Sequence, residues 1–201
     1  MAARVSVKRV AAIASGAVAL VALSGCAERL SDGDIRKALA DKLDKPSCFT
    51  EYEYQGFPVA PSPMLGGSGH PDFDALVAAG LATRTGKLYS LTPAGRTAYH
   101  ADRKGFCYSA GYEIVKILDV AAIPADQLGS VADRAWTVTV SIAQKPLAAW
   151  VHTPAIARRA VDKDALSTEP KTYHVVLAHF RGEEGIRRND PNFVLPSGFS
   201  Y

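Results

Sequence analysis

The amino-acid sequence predicts an α+β protein, in which a helical part is followed by a small antiparallel β-sheet with one or two helices. In the first half, Ile35, Leu39 and Leu43 recur every four residues, which is the spacing of one helix face. In the second half, residues 134–142 alternate between apolar and polar side chains, which is the period of a half-buried strand. With 201 residues, 48% hydrophobic and 21% charged, the composition is that of a folded protein.

The first 25 residues have the organisation of a secretory signal. Arg4, Lys8 and Arg9 supply positive charge ahead of an apolar stretch that runs from Val10 to Leu23. This stretch is shorter than the roughly 20 residues that a helix needs to cross a hydrocarbon core of about 30 Å. We therefore expect residues 1–25 to be a cleaved signal peptide.

The end of this stretch, Leu23-Ser24-Gly25-Cys26, resembles the lipobox of bacterial lipoproteins. In that family the cysteine thiol receives a diacylglyceryl group through a thioether, the signal is cut before the cysteine, and the new amine is acylated. The resemblance implies that Cys26 is the lipidation site and that the only bound groups are its diacylglycerol and N-acyl chains, with no further cofactor. The alternative is an ordinary secretory signal whose Cys26 forms a disulfide.

The same resemblance predicts the location of the protein. An Asp directly after the lipidated cysteine tends to retain such lipoproteins at the inner membrane, and here that position is Ala27. We therefore expect the outer membrane of a Gram-negative bacterium, with the protein facing the periplasm and residues 26–31 forming a short tether. Two or three acyl chains hold a folded domain at a bilayer far more firmly than one chain does.

The charge of the chain after the signal gives no indication of nucleic-acid binding. Three of the 23 Lys and Arg residues precede position 26 and no acidic residue does, so the remaining chain carries 20 basic and 20 acidic residues. Binding to a phosphate backbone depends on a concentrated positive field. We expect the partners to be the membrane, through the lipid, and another envelope protein.

Cys48 and Cys107 are an even pair in a chain with an export signal, and paired thiols tend to be oxidised in such compartments. A disulfide between them would close a loop of about 60 residues and remove on the order of 4 kcal/mol of unfolded-chain entropy. The alternatives are two separate buried thiols, or a redox or metal pair.

The helical part is expected to span residues 32–105. Ser31 or Asp32 caps the first helix, which Pro46 ends, and an extended segment from Cys48 to Phe57 follows it. A loop rich in Pro and Gly then runs to residue 69.

The next segment predicts a helix, a hairpin and a second helix. The first helix contains Phe73 and Leu76 and ends near Gly80, and residues 83–86 form a turn. A strand from Leu88 to Leu91 follows, and Thr92-Pro93 caps and begins a helix that ends near Tyr99.

The stretches 76–84 and 89–96 resemble the end of the recognition helix, the wing and the next helix of winged-helix proteins. The sequence departs from the DNA-binding version, because the helix before Gly80 carries Asp72 and Asp74 and no Lys or Arg, and so would repel phosphates. We interpret the segment as a packing unit with a candidate protein-interaction surface, formed by Phe73, Leu76, Arg84 and Tyr89.

The β-rich part, residues 106–201, is expected to pack with the helical part as one domain. Strands are predicted for Tyr112–Val120, Arg134–Ile142 and Thr172–Phe180. Because Tyr112–Val120 is apolar on both faces, we expect it to be an interior strand or one that is covered on both sides. A short helix is predicted from Pro154 to Val161, and the tail from Glu183 is expected to be irregular.

No established catalytic motif is present in the sequence, which lacks Gly-x-Ser-x-Gly, His-Glu-x-x-His and Cys-x-x-Cys. The leading hypothesis is a non-catalytic binding, scaffold or accessory domain without a metal site. The alternative is an envelope enzyme or a small-ligand carrier, with a pocket near Trp150 and His152 that uses residues such as His174 or Asp119.

Overall fold

The computed structural model describes residues 30–50, 56–60 and 70–199. The predicted signal peptide, the predicted lipidation site Cys26 and most of the predicted tether lie outside these residues. The described chain contains helices and antiparallel sheets, so the predicted α+β class is confirmed. Its helices are α1 (Asp32–Leu43), α2 (Pro71–Ala78), α3 (Pro93–Ala98) and α4 (Pro154–Ala157). Its strands are β1 (Ser47–Thr50), β2 (Ala82–Thr85), β3 (Leu88–Leu91), β4 (Tyr99–His100), β5 (Gly105–Ser109), β6 (Tyr112–Ala122), β7 (Ala132–Gln144), β8 (Lys171–Phe180) and β9 (Arg187–Arg188).

The largest sheet has four antiparallel strands in the order β6-β7-β8-β9. The alternation predicted for residues 134–142 is confirmed, because Trp136, Val138, Val140 and Ile142 are all buried on one face. On the opposite face, Thr139 of β7 lies across from His174 of β8. The period of two therefore separates an inner, apolar face from an outer face rich in hydroxyl groups.

Helix α1 covers the inner face of this sheet. Its cap is Ser31, whose Oγ accepts a hydrogen bond of 3.1 Å from the backbone N–H of Asp34. The predicted stripe Ile35, Leu39 and Leu43 is buried in the same cluster as the inner face of the sheet. Each such side chain contributes about 1.5–3 kcal/mol when it leaves water. The position of α1 thus follows from its sequence pattern.

Strand β6 corrects one prediction: it is an edge strand with a solvent-exposed side. Bulges interrupt its pairing with β7 between Ile114 and Lys116 and between Ile117 and Asp119. The side chains of Val115 and Leu118 at these bulges are 53% and 47% exposed. Because an extra residue breaks the strict alternation of a strand, apolar residues that suggested two covered faces reach solvent instead.

A three-stranded sheet, in the order β1-β5-β4, carries the predicted disulfide. Cys48 of β1 and Cys107 of β5 are paired residues of adjacent strands, with their Cα atoms 3.8 Å apart and an S–S bond of 2.01 Å. The disulfide prediction is confirmed. The bond closes the chain where it enters and leaves the segment that contains α2, the β2–β3 hairpin and α3.

That segment has the predicted order of helix, hairpin and helix. Thr92 caps α3, because its Oγ1 accepts a hydrogen bond of 2.9 Å from the backbone N–H of Gly95. The predicted turn at residues 83–86 is wrong in part, since Ala82–Thr85 is a strand and the chain turns at Gly86, which has a φ of 62°. Glycine adopts this left-handed conformation without the steric cost that other residues incur.

A second hydrophobic cluster lies under this segment, and it also includes residues from the second half of the chain. Val151, Ile156 and Phe199 are buried there beside Phe73 and Phe106. The predicted boundary at 105/106 therefore does not coincide with the division between the two clusters, because α1 packs on the large sheet. Helix α4 is a single turn, shorter than predicted, and the tail is irregular except for β9.

Candidate functional site

The predicted interaction surface needs correction, because three of its four residues belong to the core. Phe73 and Leu76 have no exposed surface, and Tyr89 is 2% exposed. The rings of Phe73 and Tyr89 lie 4.9 Å apart between α2 and the hairpin. The sequence positions of Phe73 and Leu76 on the helix and of Tyr89 on the strand therefore indicated two faces that pack on each other, and not an exposed surface. Only Arg84 remains available to a partner.

The exposed residues of this segment include Val77, Arg84 and Leu88, which we call the wing surface. Val77 and Leu88 are 36% and 42% exposed. Asp74 joins the helix to the hairpin, since it accepts hydrogen bonds from the Tyr89 hydroxyl at 2.7 Å and from the Arg84 guanidinium at 3.3 Å. This contact fixes the position of Arg84 on the side of the hairpin that faces α2.

The region around His152 contains an open groove of about 820 Å³, which we call the acidic groove. It lies between the start of β6, the end of β7 and the connection that leads to β8. Its titratable lining residues are Glu113, His152 and Glu169. The structure therefore places one predicted residue, His152, beside two carboxylates that sequence reasoning did not connect with it.

The other residues named for a catalytic pocket do not reach this groove. Trp150 packs edge-on against Tyr108, with ring centroids 6.2 Å apart. Asp119 and His174 lie on the outer face of the large sheet, where both are paired in register with Thr139. His174 Nδ1 lies 3.0 Å from Thr139 Oγ1. The structure thus separates the predicted pocket residues into three places.

A second and more enclosed cavity, of about 560 Å³, lies between the end of α1, β1 and the C-terminal tail. We call it the basic cavity, because Lys42, Lys45 and Arg103 line it together with a single described carboxylate, that of Asp102. Arg103 is 3.9 Å from Asp102, whereas Lys42 and Lys45 make no ion pair within the described chain.

The inner wall of the basic cavity is polar. Tyr108 and Tyr112 line it with Ser47, and the Tyr112 hydroxyl donates a hydrogen bond of 2.5 Å to the carbonyl oxygen of Pro196. Burial raises the pKa of Tyr108, while contacts with the Gly198 backbone and the side chains of Gln144 and Ser47 partly oppose this increase. Burial likewise raises the pKa of Tyr112. Both tyrosines are therefore neutral hydrogen-bonding groups at physiological pH.

Gln144 lies behind this wall and is only 3% exposed. Its amide contacts Tyr108 closely enough to affect the pKa of the hydroxyl, yet neither amide atom makes a hydrogen bond of ordinary geometry with the described residues. A buried amide without hydrogen bonds costs about 1–3 kcal/mol. Gln144, which lines the acidic groove and contacts Tyr108, thus has unused hydrogen-bonding capacity.

Sequence reasoning missed the basic cavity because its parts come from four separated segments. The one available signal was the cysteine pair, since Lys45 and Ser47 precede Cys48 and Tyr108 follows Cys107. Pairing these cysteines brings the two short segments together. Nothing in the sequence indicated that the C-terminal tail would form the remaining wall.

Within residues 30–50, 56–60 and 70–199, no group of three or more His, Cys, Asp or Glu side chains is arranged to hold a metal ion. None of the helices in this part of the chain has the length and apolar character needed to span a membrane. The chain matches no family model, no curated protein and no solved structure.

Proposed function

We propose that this protein is a lipoprotein anchored in the outer membrane of a Gram-negative bacterium through diacylglycerol and N-acyl chains on Cys26. It faces the periplasm and acts as a non-catalytic binding, scaffold or accessory domain for another envelope protein. The observation that carries this proposal is the Cys48–Cys107 disulfide in a chain whose first 26 residues resemble a lipoprotein signal. Disulfides persist in oxidising compartments, and export to such a compartment is what the signal implies.

The wing surface is the proposed contact for the protein partner. It combines two exposed apolar side chains with a fixed guanidinium, and arginine beside apolar groups is common at protein interfaces. The resemblance of this segment to winged-helix proteins is part of the proposal, with protein in place of nucleic acid as the ligand. Helix α2 favours this choice, because it carries no Lys or Arg that could contact a phosphate backbone.

The lipid anchor is tested by mass spectrometry of the N-terminal peptide of the protein expressed in a Gram-negative host. We expect the peptide to begin at Cys26 and to carry the mass of a diacylglyceryl group and an acyl chain. The Cys26→Ala variant should keep its signal and lack the lipid, and Ala27→Asp should move the lipidated protein to the inner membrane. A wild-type Cys26 without lipid, or bonded to another cysteine, would refute the anchor.

The protein contact is tested by photo-crosslinking in intact cells. A crosslinking amino acid is placed at Val77 or Leu88, and the matched control places it at Val161, which is 73% exposed and lies outside the wing surface. We expect the same envelope protein to be captured from positions 77 and 88 and not from position 161. Equal capture from all three positions would contradict the proposed surface.

The acidic groove supports a second candidate function, which is that of a small-ligand carrier or an envelope enzyme. The observation in its favour is that Glu113, His152 and Glu169 line one groove. Carboxylates and a histidine that line the same groove are candidates for acid–base roles in an active site. Replacing His152 with Ala should then abolish ligand binding or turnover while the lipid anchor remains intact.

A further inference from the structure

We propose that the basic cavity binds a small organic anion, in which a phosphate, sulfate or carboxylate group is joined to an apolar or aromatic body. This inference concerns the folded body alone and does not depend on the lipid at Cys26. A volume of about 560 Å³ lies within the range of pockets that enclose small molecules, which is about 300–1,000 Å³.

The charge of the cavity favours an anion. Lys42, Lys45 and Arg103 contribute three positive charges, and Asp102 is the single described carboxylate in the lining. The two lysines make no ion pair within the described residues, so their charges are not neutralised by a neighbour. Asp162 affects the pKa of both tyrosines but does not line the cavity. An anion at the rim therefore gains more from the lysines than it loses to the carboxylate.

The inner wall favours a ligand with an apolar or aromatic body and polar substituents. Tyr108 and Tyr112 line the cavity as largely buried side chains, 2% and 7% exposed, and Phe199 and Leu195 of the tail supply apolar surface. The buried Gln144 amide, which makes no hydrogen bond of ordinary geometry with the described residues, contacts the Tyr108 hydroxyl from outside the cavity lining. A cavity that combines apolar and aromatic surface with placed polar groups can fix the orientation of a small molecule.

The test measures binding of phenyl phosphate by isothermal titration calorimetry. The full chain, as the host cell processes it, is titrated in the presence of phosphatidylcholine nanodiscs, which hold a lipidated product and leave an unlipidated one in solution, and empty nanodiscs serve as the blank. We expect a dissociation constant below about 1 mM, and binding of the uncharged analogue benzyl alcohol at least tenfold weaker. Equal binding of the two compounds, or no binding of phenyl phosphate, would overturn the proposal.

Variants locate the site. The double variant Lys42→Ala/Lys45→Ala should weaken phenyl phosphate binding at least tenfold. The matched control Lys37→Ala/Lys87→Ala removes the same charge outside the cavity and should change the affinity less than twofold. An equal loss in both double variants would show a general charge effect and refute the site. Tyr108→Phe, checked for folding by near-ultraviolet circular dichroism, should weaken binding without changing the charge.

Two further experiments concern the carboxylates of Glu51 and Glu53 and the source of the anion. Glu51 and Glu53 follow the cavity residue Thr50 in the sequence and lie outside the described residues. Replacing both with Gln should leave phenyl phosphate binding unchanged or strengthen it, and weaker binding would count against an anion site.

Adding phosphatidic acid to the nanodiscs distinguishes a lipid headgroup from a soluble anion as the ligand. Competition with phenyl phosphate identifies a lipid headgroup as the ligand, and absence of competition identifies a ligand from solution.

Discussion

At the scale of single residues, Gly95 shows how closely α3 approaches the turn between α2 and the hairpin. A Cβ atom at this position would lie 1.8 Å from the carbonyl oxygen of Leu81, and that carbonyl also accepts the backbone N–H of Thr92 at 3.0 Å. Neither backbone can move without breaking this contact. The position therefore requires glycine because of space, and its helical conformation alone would allow alanine.

We predict that Gly95→Ala lowers the free energy of unfolding by at least about 2 kcal/mol, because overpacking against a fixed backbone is costly. The matched control is Gly129→Ala in the β6–β7 connection, where an added Cβ meets no atom within 4 Å. That variant should change the free energy by no more than about 1 kcal/mol. Both values are obtained from denaturant unfolding, and equal effects of the two changes would contradict the described contact.

A second prediction at this scale concerns alkaline stability. Burial raises the pKa of Tyr112 in the folded protein above the ordinary value of 10.0. The contribution of neutral Tyr112 to the free energy of unfolding is therefore complete below pH 10. It is lost as the pH rises from 10 toward the folded-state pKa, because the tyrosine of the unfolded chain ionises first.

Tyr112→Phe removes this ionisation, so its free energy of unfolding should fall less steeply than that of the wild type between pH 9 and pH 11. Denaturant unfolding at each pH provides the measurement, and absorbance at 295 nm reports tyrosinate formation. Parallel pH profiles for the two proteins would mean that Tyr112 ionises as freely in the folded state as in the unfolded state.

At the scale of elements, local sequence signals predicted helices and the central strands well. The cap Ser31 and the apolar side chains spaced every four residues determine α1 within one stretch of chain. The alternation of apolar and polar residues likewise determines strand β7 within one stretch of chain. Strand β5 was not predicted, because residues 105–109 show no alternation and all but one of them are buried. The edge position of β6 was also missed, since bulges depend on the partner strand.

The corrected roles of the residues in α2 can be tested by substitution. Phe73→Ala should lower the free energy of unfolding by about 3–5 kcal/mol, because it leaves a cavity in the second cluster. Val77→Ala on the exposed side of the same helix should cost less than about 1 kcal/mol. If thermal or denaturant unfolding gave equal values for the two variants, Phe73 would not be a core residue.

At the scale of the whole molecule, the two hydrophobic clusters are assembled from segments that are distant in the sequence. The C-terminal tail illustrates this: Phe193 is buried in the first cluster, while Phe199, six residues later, is buried in the second. Such long-range packing leaves no periodic signal in the sequence, which is why the basic cavity and the carboxylates of the acidic groove were not predicted. The cysteine pair was the exception, because thiols in an exported chain have few alternatives to pairing.

The disulfide gives the prediction at this scale. Replacing Cys48 and Cys107 with Ala releases a segment of 59 residues in the unfolded chain and should lower the free energy of unfolding by about 4 kcal/mol. Denaturant unfolding of this variant should match that of the wild type under reducing conditions. A loss below about 1 kcal/mol would show that the folded state gains little from the closed loop.

Leu30 belongs to the first cluster and is only 5% exposed, so the folded body begins at this residue. Its burial limits the distance between Cys26 and the folded body. Four peptide units separate it from Cys26, and fully stretched they extend about 14 Å. With the proposed lipid on Cys26, the folded body would lie within a few water layers of the headgroups and would meet partners by lateral diffusion. A binding partner located further from that membrane would have to extend to it in order to be bound.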